Sequence, residues 1–216
     1  MSSTTIPGVS TRSLRRSATK HRTSNVESRR VLVELIVAGA MLLGATLLGW
    51  GSTFARNMVH DQLSDQKISF PAAGPALPTT QYPGLQRYAG QPVDSGPKAK
   101  AYANQFIAEH LKAVNGGKTY SETSGSAMAA RKAATEATAT KASNAPALVA
   151  AADKLDAQTQ TLFRGETLRG LLLYAWGWSL VGQIALYVAI IAGIGGFVLV
   201  VLALRRTVPY ALINGE

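Results

Sequence analysis

The chain has 216 residues, a net charge of +10 and no cysteine. The missing cysteines exclude a disulfide framework, a thiolate zinc site and a cysteine nucleophile together. The charge excludes less than its size suggests, because it is concentrated: residues 1–30 hold seven basic side chains and one acid, while residues 51–170 hold thirteen basic and nine acidic ones. A short basic tail beside an apolar run is the positive-inside pattern of membrane proteins, with added attraction to anionic headgroups. No aromatic residue interleaves those basic residues to stack on bases, so nucleic acid is not an expected partner.

Residues 1–30 are rich in Ser, Thr and basic residues and carry scarcely a large apolar side chain. They are expected to form a disordered, basic, cytoplasmic tail, with Glu27–Arg30 opening the first helix. Val31–Trp50 contains one acid and is long enough to span a bilayer. A secretory signal competes with this reading. Ser28-Arg29-Arg30-Val31-Leu32 resembles a twin-arginine signal, and Thr53-Phe54-Ala55 is a weak small-x-small cleavage site. The apolar run exceeds the roughly 7–15 residues of a signal's hydrophobic region, which favours a retained anchor flanked by Trp50 and Arg56.

The second apolar run, Leu171–Leu204, has no charged residue and is closed by Arg205-Arg206. At about 1.5 Å per residue it would reach roughly 50 Å, against a hydrocarbon core of about 30 Å. Trp176 and Trp178 mark where the membrane begins, since indoles prefer the headgroup zone. The span itself is therefore expected near Ser179–Leu204, with Leu171–Trp178 as an interfacial lead-in. Both ends then give one topology: termini in the cytoplasm, residues 51–170 outside, and a tail at residues 205–216. Arg169 and the Arg205-Arg206 pair are read as interface anchors.

Three polar residues fall inside the spans. Glu34 is expected to pair with Arg30 on its own face, or with Arg205 or Arg206 at the same depth on the second span. Thr46 and Gln183 lie at similar depth, which suggests a cross-helix hydrogen bond. Small residues recur at helix-contact spacing: Ala40/Gly44 and Ala45/Gly49 in the first span, and Ala185, Ala189 and Gly193 with the flanking pair Ala192/Gly196 in the second. Such stripes let helix backbones approach closely, within the chain or between copies.

Between the spans, Ser52–Ser69 can extend the first helix beyond the bilayer. Phe70–Pro97 holds six of the nine prolines and reads as a turn-rich connection that Tyr82, Leu85 and Tyr88 can dock. Lys98–Val114 is the best amphipathic helix, with Tyr102, Phe106, Leu111 and Val114 on one face and Gly116-Gly117 as its stop. Residues 123–145 are Ala/Thr-rich and fit either a weak helix or a mobile loop. From Ala147 the helical pattern returns and runs without proline into the second span, with Gly165 and Gly170 as weak points. The fold class expected is an all-α membrane protein: two transmembrane helices, an extracytoplasmic helical stalk and a small helical cap.

No catalytic constellation is legible. His21, His60 and His110 lack any HxH or HExxH spacing, and a metal site needs three or four converging ligands. Ser124-Gly125-Ser126 lacks the strand–elbow–helix frame of a hydrolase nucleophile. Asn115–Thr119 resembles a phosphate loop but lacks its first glycine and a preceding strand. Neither a cofactor nor a metal is expected.

Four segments taken together carry a resemblance: DQLSDQKISFP (Asp61–Pro71), YPGLQRYAGQPV (Tyr82–Val93), AKAYANQFIAEHL (Ala99–Leu111) and TLFRGETLRGLLLYAWGW (Thr161–Trp178). They resemble an uncharacterised family of two-span membrane proteins from actinobacteria, over roughly residues 56–204. The resemblance implies a plasma-membrane setting and adds no site residue. The function expected is a non-enzymatic scaffold or accessory subunit of a cell-envelope complex, partnered by lipid and by further copies or another membrane protein. The alternative is an extracytoplasmic sensor with a ligand pocket among Tyr82, Tyr88, Tyr102 and Phe106.

Overall fold

A computed structural model describes the backbone of residues 11–213 and the side chains of residues 27–206. The elements are all helical: α1 (Thr11–Asp65), a 3-10 turn (Pro83–Tyr88), α2 (Gly96–Ala101), a π-helical stretch (Tyr102–Ile107), α3 (Ala108–Lys112), α4 (Tyr120–Ala139) and α5 (Ala145–Ile213). Two stretches are long and apolar enough to cross a membrane: Glu27–Asp65 (mean hydropathy 2.3) and Ala145–Arg206 (mean hydropathy 2.7).

Helix α1 starts at Thr11, earlier than the disordered tail expected from composition. Residues 11–30 contain neither proline nor glycine, so a helix nucleated in the apolar run can propagate back through them one bond at a time. The first ten residues of the expected tail lie outside the described ones. At the other end of the chain, α5 continues to Ile213, through much of what reads as a tail in the sequence.

By internal contacts the chain divides into two compact units, residues 1–51 with 185–216, and residues 52–184. In the larger unit, α1 ends in a turn where Lys67 takes a left-handed φ of 51°. The connection that follows is closed at its base: Phe70 donates to the Gln91 carbonyl (2.9 Å) and Val93 to that of Ile68 (2.8 Å). Inside it, the Gln86 amide donates to the carbonyls of Leu77 (2.9 Å) and Tyr82 (3.1 Å). The proline-rich segment is thus packed, and Leu77 and Leu85 are fully buried.

From Gly96 to Lys112 the chain is one helical run whose middle turn is widened to π geometry. The wider turn keeps residues four apart stacked along one side, which aligns Tyr102, Phe106 and His110 while Ala103, Ile107 and Leu111 are buried. Asn115 and Gly116 then take left-handed φ values of 50° and 67°, which end the run.

Residues 123–145, ambiguous in the sequence, are mostly helix α4. Its start is fixed by a capping box: Thr119 accepts from the Glu122 amide, and the Glu122 carboxylate accepts from the Thr119 amide. Its inner face is small (Thr123, Ala127, Ala134, Ala137). Tyr120 stacks near Phe163 and Arg131 pairs with Asp153 and Asp156, so α4 runs antiparallel to the first part of α5. Gly165, expected to weaken α5, sits under α3 instead: a Cβ there would come within 2.4 Å of Leu111 Cδ2.

Candidate functional site

Close helix seams and charged helix flanks stand out among the described residues. In the unit formed by residues 1–51 and 185–216, the two helices pack antiparallel. A Cβ on Gly196 would meet Leu42 Cγ at 3.0 Å and the Ala38 carbonyl oxygen at 3.2 Å; one on Gly193 would lie 3.8 Å from Ala45 Cβ. Met41 reaches toward Gly195 in the same way. Such close approach is open only to small residues, and the contact it permits is van der Waals packing of backbone on backbone.

The seam uses part of the expected stripe and adds residues the sequence reading passed over. Ala45, Ala189, Gly193 and Gly196 lie along it, while Ala185 is half-buried. Ala40 is exposed, and Cβ atoms built on Gly44 and Gly49 would meet nothing within 4 Å, so neither glycine is a point of tight approach like Gly196. Ala38 and Ala203 take the tight positions, at 0% and 1% exposure. The missed signal is a period of seven rather than four. Along α5, Ala189, Gly196 and Ala203 are buried; along α1, Ala38 is buried and Ala45 is half-buried. A seven-residue spacing keeps a stripe facing one partner along a slightly under-wound helix.

At one end of this seam the Arg206 guanidinium donates through Nη1 to Glu34 Oε1. The expectation that left Arg30, Arg205 and Arg206 open as partners for Glu34 resolves in favour of Arg206. The other carboxylate oxygen of Glu34 is buried and accepts no hydrogen bond. Arg205 is exposed beside it. Thr46 donates to the Leu42 carbonyl one turn back (2.9 Å), so the hydroxyl proton expected to serve a cross-helix bond is used within its own helix. Trp50 is 70% exposed.

In the unit of residues 52–184 a second close approach occurs: a Cβ on Gly182 would meet Ala55 Cβ at 3.1 Å and the Ser52 carbonyl oxygen at 3.4 Å. Arg56 and Gln183 flank it, exposed. Trp176 is covered by the Lys100 ammonium, 4.1 Å from the ring centroid, and Gly96 packs on its Cα. Trp178 stands edge-on to Tyr174, and with Leu173, Gly177 and Val181 they line a shallow apolar groove of about 500 Å³. Arg169 pairs with Glu166 (3.1 Å) and reaches Asn104 (3.4 Å).

The four aromatic residues expected to frame a pocket belong to one ring ladder with two further rings, and Tyr88 joins it through Phe70. Phe70 stacks on Tyr88 and meets Tyr102 edge-on, both at 5.2 Å; Tyr102–Phe106 (4.9 Å), Tyr82–Phe106 (5.6 Å) and Phe106–His110 (4.4 Å) continue the ladder. Burial raises the pKa of the Tyr102 phenol; burial, then the charge of Glu109, raises that of Tyr82. His60 and His110 each have a backbone carbonyl beside Nδ1, that of Asp94 at 3.0 Å and of Phe106 at 2.9 Å, which Nδ1–H can serve. Compared with known proteins, the chain matches no family model, no curated protein and no solved structure, so what it does has to be argued from these contacts.

Proposed function

We propose that the chain is a non-enzymatic, two-span protein of the bacterial plasma membrane, acting as a scaffold or accessory subunit of a cell-envelope complex. Residues 51–170 form a helical stalk with a small cap on the outer face, and both termini lie in the cytoplasm. The observation that carries this reading is inverted burial. Only 6% and 11% of the most apolar windows of the two long helices are buried, whereas the core helix of a water-soluble protein hides its apolar residues. Leu43, Ile191 and Phe197 are 63%, 70% and 64% exposed. A surface of this kind is stable only where its surroundings are as apolar as the side chains themselves.

Orientation follows from charge. Arg29, Arg30, Arg205 and Arg206 share the end marked by the Glu34–Arg206 pair, and basic flanks are retained on the cytoplasmic side. The reading of a sensor draws less support, because the rings it would use already fill the space between them. Native mass spectrometry of full-length protein released in mild detergent tests the scaffold reading. A defined oligomer or a stoichiometric membrane-protein partner is expected; a bare monomer contradicts it.

A further inference from the structure

Two short cationic stretches, Arg29-Arg30 on α1 and Arg205-Arg206 on α5, are brought to one place by a single carboxylate. The Arg206–Glu34 ion pair sets the Arg205-Arg206 turn of α5 against the turn of α1 that holds Glu34. Arg30 lies four residues before Glu34, hence on nearly the same face and about 6 Å further along the axis. Glu34 engages one guanidinium only, since its second oxygen is buried and accepts no hydrogen bond. Arg29, Arg30 and Arg205 are exposed and form no ion pair among the described residues. Beside them the helices present Leu32, Val33 and Leu204, at 58%, 58% and 55% exposure.

We propose that this end of the helix pair is a binding site for an anionic phospholipid. Arg30 and Arg205 donate to the phosphate, Arg29 adds charge, and the apolar strip carries the acyl chains. Guanidinium groups suit this ligand because their fixed fork matches phosphate oxygens. An inorganic phosphate or an acidic peptide would meet the same charges but leave the strip unused, which is why a lipid is the occupant. Glu34 limits the strength of the site by holding Arg206 in an internal pair. This inference rests on the two-span reading.

The test uses full-length protein in mild detergent, with phosphatidylglycerol and phosphatidylcholine of matched chains added in equal amounts and bound lipid read by native mass spectrometry. Phosphatidylglycerol should be retained preferentially. The preference should fall about fivefold for each guanidinium removed in Arg30→Gln and Arg205→Gln, and rise by up to about fivefold in Glu34→Gln, which frees Arg206. Glu136→Gln, an exposed acid on α4 with the same change in net charge, should leave it unchanged. Far-UV circular dichroism checks that each variant keeps its helicity, and Glu34→Gln carries the test if an arginine variant does not. Equal retention of the two lipids, displacement by millimolar inorganic phosphate, or equal effects of Glu34→Gln and Glu136→Gln would overturn the site. Extraction of native membranes at alkaline pH separates the two readings. Release of the protein breaks the two-span reading and the site with it, whereas a retained protein without lipid preference overturns the site alone.

Discussion

The two units bury opposite kinds of residue. Within residues 52–184 the large side chains are inside: Leu77 and Leu85 are 0% exposed, and Phe70 is 2% exposed. In the unit of residues 1–51 and 185–216 the tight positions belong to Ala38 and Ala203, at 0% and 1%, while Ile191 and Phe197 face outward at 70% and 64%. Water drives the first pattern, since each large apolar side chain removed from it contributes about 1.5–3 kcal/mol. The second needs another selector. Where the surroundings are themselves apolar, burying leucine gains little, and small residues win the interface because they let backbones touch.

That contrast can be broken most sharply from the water-driven side. Leu85→Ala removes a fully buried side chain and should lower stability by about 2–5 kcal/mol in denaturant unfolding of the detergent-solubilised protein. In the other unit size should matter in the opposite sense. Gly196→Leu drives atoms into Leu42 and the Ala38 carbonyl and should cost about 1–3 kcal/mol, read by the same unfolding assay. The seam has a positive test as well. The chain lacks cysteine, and the 3.8 Å separation between Ala45 Cβ and a Cβ at position 193 falls in disulfide range. A double variant carrying Ala45→Cys and Gly193→Cys should form an intrachain disulfide on mild oxidation, seen as faster migration on a non-reducing gel.

Smaller effects sharpen the picture. Thr119→Ala deletes the α4 cap and should cost about 1 kcal/mol. The same cap gives a pH dependence. The Thr119 backbone amide, then its hydroxyl, holds the Glu122 carboxyl below its ordinary value of 4.5. A depressed folded-state pKa means this contribution is present above about pH 4.5 and is lost as pH falls through the lower folded value. Helix content of α4 should therefore decline with acid, and Glu122→Gln should flatten that decline. Last, Phe197→Ala trims a large but outward-facing residue and should change unfolding stability by less than about 0.5 kcal/mol.

Which of these features the sequence discloses depends on the signal each one leaves. The two apolar runs are unmistakable because about twenty residues without charge have few other uses, and the amphipathic run around Tyr102 and Phe106 shows its period directly. The start of α4 is also written in the chain, as Thr119-Tyr120-Ser121-Glu122, but the Ala/Thr composition that follows carries no apolar period to mark a helix. The seam was half legible. Small residues at spacing four are common in apolar helices, and only burial separates Ala38 from Ala40 or selects the seven-residue series Ala189, Gly196, Ala203. Propensity alone makes Gly165 a weak point, because it ignores what packs on a glycine, here Leu111. The Glu34–Arg206 pair needs the register between two distant helices, which local pattern does not contain.

The central claim of the proposed topology, that residues 51–170 stand on the opposite side of the membrane from the basic flanks of the spans, is tested most directly by cysteine accessibility in the naturally cysteine-free chain. Single variants Met128→Cys and Ser28→Cys place a thiol at exposed positions on α4 and beside the Arg29-Arg30 pair of α1. With a membrane-impermeant maleimide on intact cells, the thiol at 128 should label at once and that at 28 only after permeabilisation. Labelling of both in intact cells, or of position 28 alone, would contradict the account.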